Sequence, residues 1–166
     1  MSDRRGPADA TASVTVRVAV APAVAFDVFT REIDQWWRRG RQYRHTGDAG
    51  TLHIEPRVDG RVYERSTDGS LPREFELGRV RVWQPPDRLL FSWRNATFAP
   101  LEHTEVEVIF RAVAGATLVT VRHRGWEALR PDHPARHGMA DDELARSVGT
   151  WWAAQLAALR ERAAAR

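Results

Sequence analysis

The chain has 166 residues, 43% of them hydrophobic and 28% charged, a composition that suits one folded domain and excludes an intrinsically disordered chain. It contains no cysteine, which excludes disulfide bonds, thiolate metal sites and cysteine nucleophiles. No apolar run reaches the roughly 20 residues of a membrane-spanning helix. The first twelve residues also lack the apolar middle of a signal peptide, so we expect a cytoplasmic protein.

All 25 basic residues are arginine, and the 22 acidic residues leave a net charge of +3. The arginines are scattered, and the densest group (Arg38, Arg39, Arg41 and Arg44) is accompanied by no groove-reading motif. We therefore predict no nucleic-acid partner. The exclusive use of arginine, together with 24 alanines, is typical of a GC-rich bacterial genome.

The first part of the chain predicts a leader, a strand and short helices. Residues 1–12 are small and polar and are predicted to form a flexible leader before a single domain over residues 13–166. Valines alternate from Val14 to Val20, which predicts a half-buried strand. Pro22 then suits the first turn of a helix, and apolar residues recur at helical spacing as far as Trp37. This spacing predicts one helix or two short ones.

The rest of the chain predicts a meander of strands and a long helix. The candidate strands, separated by short turns, are residues 51–55, 61–66, 73–83, 88–94, 104–112 and 117–124. The last helix, capped by Asp141 or Asp142, carries an apolar stripe that includes Trp151 and Trp152. Because a sheet cannot hide its apolar face alone, we expect this helix to cover it and to leave a ligand-sized gap at one end.

Several segments carry a family resemblance. They are residues 20–30 running on to Trp36-Trp37, residues 54–64, residues 78–80 with 83–93, residues 104–108 with 119–126, and the Trp151-Trp152 helix. Together they resemble the START-like (SRPBCC) superfamily, in the branch named after activators of the heat-shock-protein-90 ATPase. The resemblance implies an α+β helix-grip fold. In that fold a curved antiparallel sheet of about seven strands wraps around a long C-terminal helix, and two short helices follow the first strand.

The resemblance also implies a function. Members of the superfamily bind lipids or other hydrophobic molecules in a cavity under the terminal helix, so a hydrophobic or aromatic small molecule is the predicted partner. Since the chain has no phosphate-cradling glycine loop, we expect no cofactor. The residues favour a binding protein over an enzyme, because neither a nucleophile elbow nor a serine with an evident base is present.

Three alternatives stay open. The first is a cyclase or dehydratase that uses His123 with a nearby Arg or Glu, as some relatives are aromatase/cyclases. The second is an interaction module that stimulates an ATPase. Because the extra N-terminal domain of the eukaryotic co-chaperones is not in this sequence, heat-shock protein 90 is not the expected partner. The third is a domain with a filled core that acts only as a subunit of an assembly. A homodimer is possible, because pairing with a second copy would protect the edge strands of the sheet.

The predicted ligand-binding residues are mostly aromatic or lie on inward faces of strands. They are Trp36, Trp37, Tyr63, Phe91, Trp93, Val108, Phe110, Val121, His123, Trp126, Trp151 and Trp152. His123 is the one candidate for catalysis, as an acid or base near neutral pH. The alternative, which we favour, is a packed histidine bonded to the backbone.

Other polar residues give weaker signals. His133 and His137 are four residues apart, but Pro131 and Pro134 place them in a loop without a third acidic ligand, so we predict no metal site. Glu105 and Glu107 oppose the inward set and are predicted to be solvated. The faces of Glu64, Glu76 and Arg94 stay ambiguous, because Gly78 is typical of a bulge that would change the parity of the strand.

Overall fold

The computed structural model of the protein describes residues 10–69 and 73–166. Seven strands form one sheet, in the order β1-β7-β6-β5-β4-β3-β2, and all neighbours are antiparallel. The strands are β1 (Ala12–Val18), β2 (Gly50–Ile54), β3 (Arg61–Ser66), β4 (Glu74–Gln84), β5 (Arg88–Trp93), β6 (Thr104–Val113) and β7 (Ala116–Arg124). The predicted meander is therefore confirmed, and β1 extends it by pairing with β7.

Three α-helices complete the fold: α1 (Pro22–Thr30), α2 (Ile33–Trp36) and α3 (Asp141–Ala164). The two short helices after the first strand and the long last helix agree with the predicted helix-grip arrangement. Acidic side chains occupy the first turn of α3, where they interact favourably with the helix dipole. The predicted aspartate cap is wrong, since Ala140 is the N-cap residue, and Asp141 pairs with Arg136 instead.

The inward face of the sheet, α1 and α3 enclose the main hydrophobic core. Phe26 and Phe29 of α1 pack against Phe110 of β6, with ring centroids 5.1 and 5.9 Å apart. Trp152 and Leu156 of α3 are almost wholly buried in the same core. This end of the interior is filled, so a cavity can exist only towards the other end of the sheet.

A second, smaller core covers the beginning of α3. It consists of Ala10, Phe98, Trp126, Leu129, Ala135 and Leu144. Val148, one turn after Leu144, packs against both cores. Of the predicted leader, residues 1–9 lie outside the described residues, whereas Ala10 is buried and β1 already begins at Ala12.

A register shift in the sheet determines which face of the sheet carries each of the residues that the sequence left ambiguous. Pairing of β3 with β4 shifts between Val62 and Tyr63, opposite Gly78. A Cβ atom on Gly78 would lie 1.6 Å from the carbonyl oxygen of Ser92, so only glycine permits this close approach of β4 to β5. Just before Gly78, Phe75 and Leu77 line a cavity between the sheet and the last helix.

The charged residues on these strands divide between the two faces. Glu64 is buried, whereas Glu76 is half-exposed and pairs with Arg79 at 2.8 Å. Arg94 follows β5 and is half-buried. The prediction of a solvated Glu107 is wrong: its side chain is 8% exposed, and its carboxylate pairs with the guanidinium of Arg88 at 2.7 Å.

Candidate functional site

A cavity of about 620 Å³ lies between the first half of α3 and the end of the sheet where β4 begins and β5 and β7 end. The segment 41–45 forms its third side. The residues that line it are Arg41, Gln42, Tyr43, Arg44, His45, Phe75, Leu77, Trp93, Asn95, Ala96, Thr97, His123, Trp126, Ala135, His137, Leu144, Ser147, Val148 and Trp151. Exposed side chains such as Arg41, Gln42 and Ser147 are among them, so the cavity opens to solvent on that side.

Tryptophans form much of the inner wall. The rings of Trp93 and Trp151 lie 6.1 Å apart at the cavity surface. Behind them, Trp37 contacts both, at centroid distances of 5.7 and 5.6 Å. Trp151 is held in place by its indole N–H, which donates to the carbonyl oxygen of Gln42 at 2.9 Å. The wall is therefore a rigid aromatic surface whose rings are supported from behind.

His123 lies at the base of the cavity, and both of its ring nitrogens are occupied. The indole Nε1–H of Trp152 donates to Nδ1 at 3.1 Å. Because an indole nitrogen can only donate, Nδ1 must accept, and the proton of the neutral ring is on Nε2. Nε2 then donates to Oγ1 of Thr104 at 2.7 Å, and this hydroxyl donates to the carbonyl oxygen of Trp93 at 3.2 Å. These bonds fix the imidazole ring in one orientation.

Burial also determines the charge of His123. The side chain is 2% exposed and is surrounded by the rings of Trp93, Trp126 and Trp152. Burial disfavours the charged imidazolium and lowers the pKa of His123 to about 3. At neutral pH the ring is therefore uncharged, and both of its nitrogens are engaged in hydrogen bonds.

Arg44 anchors the segment that forms the third side of the cavity. Its guanidinium is buried and donates to the carbonyl oxygens of Trp37 and Arg38, at 2.6 and 3.2 Å. It also pairs with the carboxylate of Asp34. Although partial burial acts in the opposite direction, the hydrogen bonds from Arg44 and from the Leu52 backbone lower the pKa of Asp34. The segment is thus tied to α2 by an interior ion pair.

Glu64 fastens the same segment to the sheet. Its buried carboxylate accepts hydrogen bonds from the backbone N–H groups of His45 and Thr46, at 2.8 and 3.1 Å, and from the Thr46 hydroxyl at 2.8 Å. On the helix side, Gln155 of α3 accepts a bond from the Arg38 backbone N–H at 2.8 Å. The cavity's third side is therefore held in place before any ligand binds.

The structure brings four of the predicted ligand-binding residues to the cavity: Trp93, His123, Trp126 and Trp151. Behind its wall lie Trp36, Trp37 and Trp152, and within the filled core lie Phe91, Val108, Phe110 and Val121. Tyr63 does not line the cavity, because it stacks on His53 at 5.0 Å beneath the guanidinium of Arg61.

Sequence reasoning missed the remaining lining residues. Phe75 and Leu77 alternate as expected of a strand, but the bulge at Gly78 concealed the direction of the alternation. Leu144 and Val148 belong to the apolar stripe of α3 and could have been selected by their helical spacing. The polar residues of segment 41–45 have no periodic pattern that could have identified them.

Residues 10–69 and 73–166 contain neither a membrane-spanning helix nor a cluster of metal ligands. No helix there is long and apolar enough to cross a membrane. Within the same residues, no group of three His, Cys, Asp or Glu side chains is placed to hold a metal ion. His133 is buried and its Nδ1 accepts a bond from the Ala135 backbone, whereas His137 is exposed at the rim of the cavity.

Comparison with known sequences identifies the family. Residues 19–161 match the family described as Activator of Hsp90 ATPase homolog 1-like protein. The chain belongs to this family. The match covers most of the domain and confirms the resemblance that the aromatic motifs indicated. No curated protein matches the sequence.

Solved structures of similar fold include proteins of distant sequence. MLL2253 from Mesorhizobium loti is 16% identical, with a TM-score of 0.63 over 92% of this chain and 95% of that one. DynU16, a putative protein in the dynemicin biosynthetic locus, is 22% identical, with a TM-score of 0.62. The match covers 92% of this chain but only 46% of DynU16. The Aha1 dimer from Colwellia psychrerythraea is 13% identical, with a TM-score of 0.61 over 91% of this chain and 93% of that one. At these identities the likeness concerns the fold.

Proposed function

We propose that the protein binds a hydrophobic or aromatic small molecule in the cavity between the sheet and α3. The observation that carries the proposal is an open, preformed cavity of about 620 Å³ whose inner wall contains Trp93, Trp126 and Trp151. Small-molecule sites typically have volumes of about 300–1,000 Å³, apolar walls and a few polar groups. Flat apolar ligands gain most from such a wall, because aromatic rings bury large areas and prefer stacked or edge contacts.

The enzymatic alternative receives less support. A cyclase or dehydratase needs polar groups that converge on the substrate and can transfer protons. His123 was the candidate for that role, but both of its nitrogens are engaged with Trp152 and Thr104. Any reaction in the cavity would have to use the side chains of its rim instead.

A cavity-filling variant tests the binding proposal. Val148 lines the cavity from α3, so Val148→Trp places an indole in the space that the ligand would occupy. With the neutral fluorophore N-phenyl-1-naphthylamine as probe, we expect the wild type to bind and the variant to bind about tenfold or more weakly. Fluorescence titration measures both affinities.

Ala153→Trp is the matched control for that experiment. It adds the same side chain to the same helix, at an exposed position that does not line the cavity. The control should bind the probe as the wild type does. Equal affinities for all three proteins, or no binding by any of them, would overturn the proposal.

The description of the family supports a second candidate, an interaction with the Hsp90 ATPase. Such an interaction would use the outer surface of the domain and would not require the cavity. A pull-down and an ATPase assay with Hsp90 from the same cell would test it. Stimulation that survives Val148→Trp would favour this candidate over ligand binding.

A homodimer remains a prediction. The Aha1 protein from Colwellia psychrerythraea was solved as a dimer. In this chain β1 and β2 are the edges of the sheet, and α3 packs against β1. Sedimentation of the purified protein at several concentrations would show whether β2 or another surface pairs with a second copy.

A further inference from the structure

The two charged side chains that line the cavity are arginines, Arg41 and Arg44, and no aspartate or glutamate lines it. Three histidines also line it: His45 and His137 at its rim, and the buried, uncharged His123. The apolar wall lies deeper, around Trp93 and Trp126, while Arg41, His45 and His137 are exposed. The site therefore combines an apolar interior with a basic rim.

Arg41 is the cation of this rim that is available to a ligand. The other lining arginine, Arg44, is buried and already paired with Asp34. Arg41 is exposed, and no carboxylate of the described residues lies within ion-pair distance of its guanidinium. Arg41 therefore differs from Arg44, the other lining arginine, in having a guanidinium that no carboxylate of the described residues neutralises.

Two carboxylates that hydrogen-bond to this segment, those of Glu64 and Asp34, are already committed. Glu64 does not line the cavity, and both of its carboxylate oxygens accept hydrogen bonds from His45 or Thr46. Asp34 is held on the far side of the segment by Arg44 and by the Leu52 backbone. Neither carboxylate is free to neutralise Arg41.

We propose that the ligand is an amphipathic anion. Its apolar body would lie against Trp93, Trp151 and Val148, and its acid group would lie at the rim beside Arg41. This inference rests on the proposed function and adds the chemical class of the ligand. The free guanidinium supplies two parallel N–H donors for a carboxylate or a sulfonate, and the exposed imidazoles of His45 and His137 supply further polar contacts.

Two fluorophores with the same aromatic body distinguish binding in the cavity from recognition of an acid group by Arg41. One is 8-anilino-1-naphthalenesulfonate, which is an anion, and the other is N-phenyl-1-naphthylamine, which lacks the sulfonate. We expect Arg41→Gln to weaken binding of the anion by about two- to fivefold and to leave binding of the neutral probe unchanged. Added salt should weaken binding of the anion alone, because it screens the contact with the exposed guanidinium.

Arg111→Gln is the matched control. It removes the same charge from an exposed position on β6 that does not line the cavity, so neither probe should be affected. Arg41→Glu extends the series, and it should weaken binding of the anion further than Arg41→Gln does. Thermal melting of each variant checks that the fold is intact; Arg41 makes no side-chain bond in the described structure that its replacement would break.

The outcomes distinguish the two proposals. If both probes bind and the anion is insensitive to Arg41→Gln and to salt, the anionic class is wrong while the cavity still binds ligands. If Arg111→Gln weakens binding of the anion as much as Arg41→Gln does, the effect comes from the net charge of the protein. Arg41 is then not the residue that contacts the acid group. If Val148→Trp leaves binding of both probes unchanged, neither occupies the cavity, and the proposed function fails with the inference.

Discussion

Replacing Arg44 with methionine should lower the free energy of unfolding by about 3–5 kcal/mol. The wild-type side chain is 0% exposed and donates to the carbonyl oxygens of Trp37, Arg38 and Asp34 as well as to the Asp34 carboxylate. Methionine keeps an unbranched apolar stem but leaves these acceptors without their donor in the interior. Urea unfolding followed by circular dichroism measures the difference.

Arg39 provides the control for this experiment. It pairs with the same Asp34 carboxylate, at 3.4 Å, but its side chain is 48% exposed. Exposed ion pairs contribute about 0–1 kcal/mol, so Arg39→Met should have a much smaller effect than Arg44→Met. Equal and small losses for the two variants would show that Arg44 does not anchor the segment.

Arg44→Met should also weaken ligand binding in the cavity. Residues 41–45 line the cavity, and Arg44 fixes them to α2 and to the start of β2. Under conditions where Arg44→Met is still folded, we therefore expect weaker binding of both naphthalene probes. Arg39→Met should retain wild-type affinity for the neutral probe.

We also expect acid to lower the free energy of unfolding strongly, through His123. Burial lowers the pKa of His123 to about 3 in the folded protein, below its unfolded value of about 6.5. Between these two pH values the imidazole is protonated in the unfolded chain and neutral in the folded protein. The stability that comes from this neutral ring is fully present above pH 6.5 and is lost progressively as the pH falls towards 3. Between about pH 6.5 and about pH 4.5, this group alone should remove about 2–3 kcal/mol from the free energy of unfolding.

A variant isolates the contribution of His123 from those of other groups. Burial also lowers the pKa of His53, which therefore adds to the loss of stability in the same direction. In His123→Gln, an amide can accept from Trp152 and donate to Thr104 without titrating. Its stability should consequently fall less steeply with acid than that of the wild type. Parallel pH profiles for the two proteins would show that His123 is not the group responsible.

The strands were predictable because their side chains alternate without interruption. On β5 to β7, the inward residues Phe91, Val108 and Val121 are all buried, as the period of two indicates. Tyr63 was misplaced because the register of β3 shifts beside it, at the bulge opposite Gly78. Gly78 indicated the bulge, but the register that results from it depends on the pairing with the neighbouring strands, which local sequence does not encode.

The site was predictable only where it coincides with the core pattern. Trp93 and Trp151 were found because they are aromatic and lie on amphipathic elements. Arg44 could not be separated from Arg41 by sequence, since the two are three residues apart in one polar segment. Only the packing of that segment buries one guanidinium against Asp34 and leaves the other free at the cavity rim.

The most direct test of ligand binding in the cavity is a ligand titration followed by the NMR resonances of the indole N–H groups. With 8-anilino-1-naphthalenesulfonate, we expect the resonances of Trp93, Trp126 and Trp151 to shift, since these residues line the cavity. Trp83 packs against Phe26 at the filled end and should not move. Saturable shifts confined to the first three would support the account, whereas unchanged spectra or shifts led by Trp83 would contradict it.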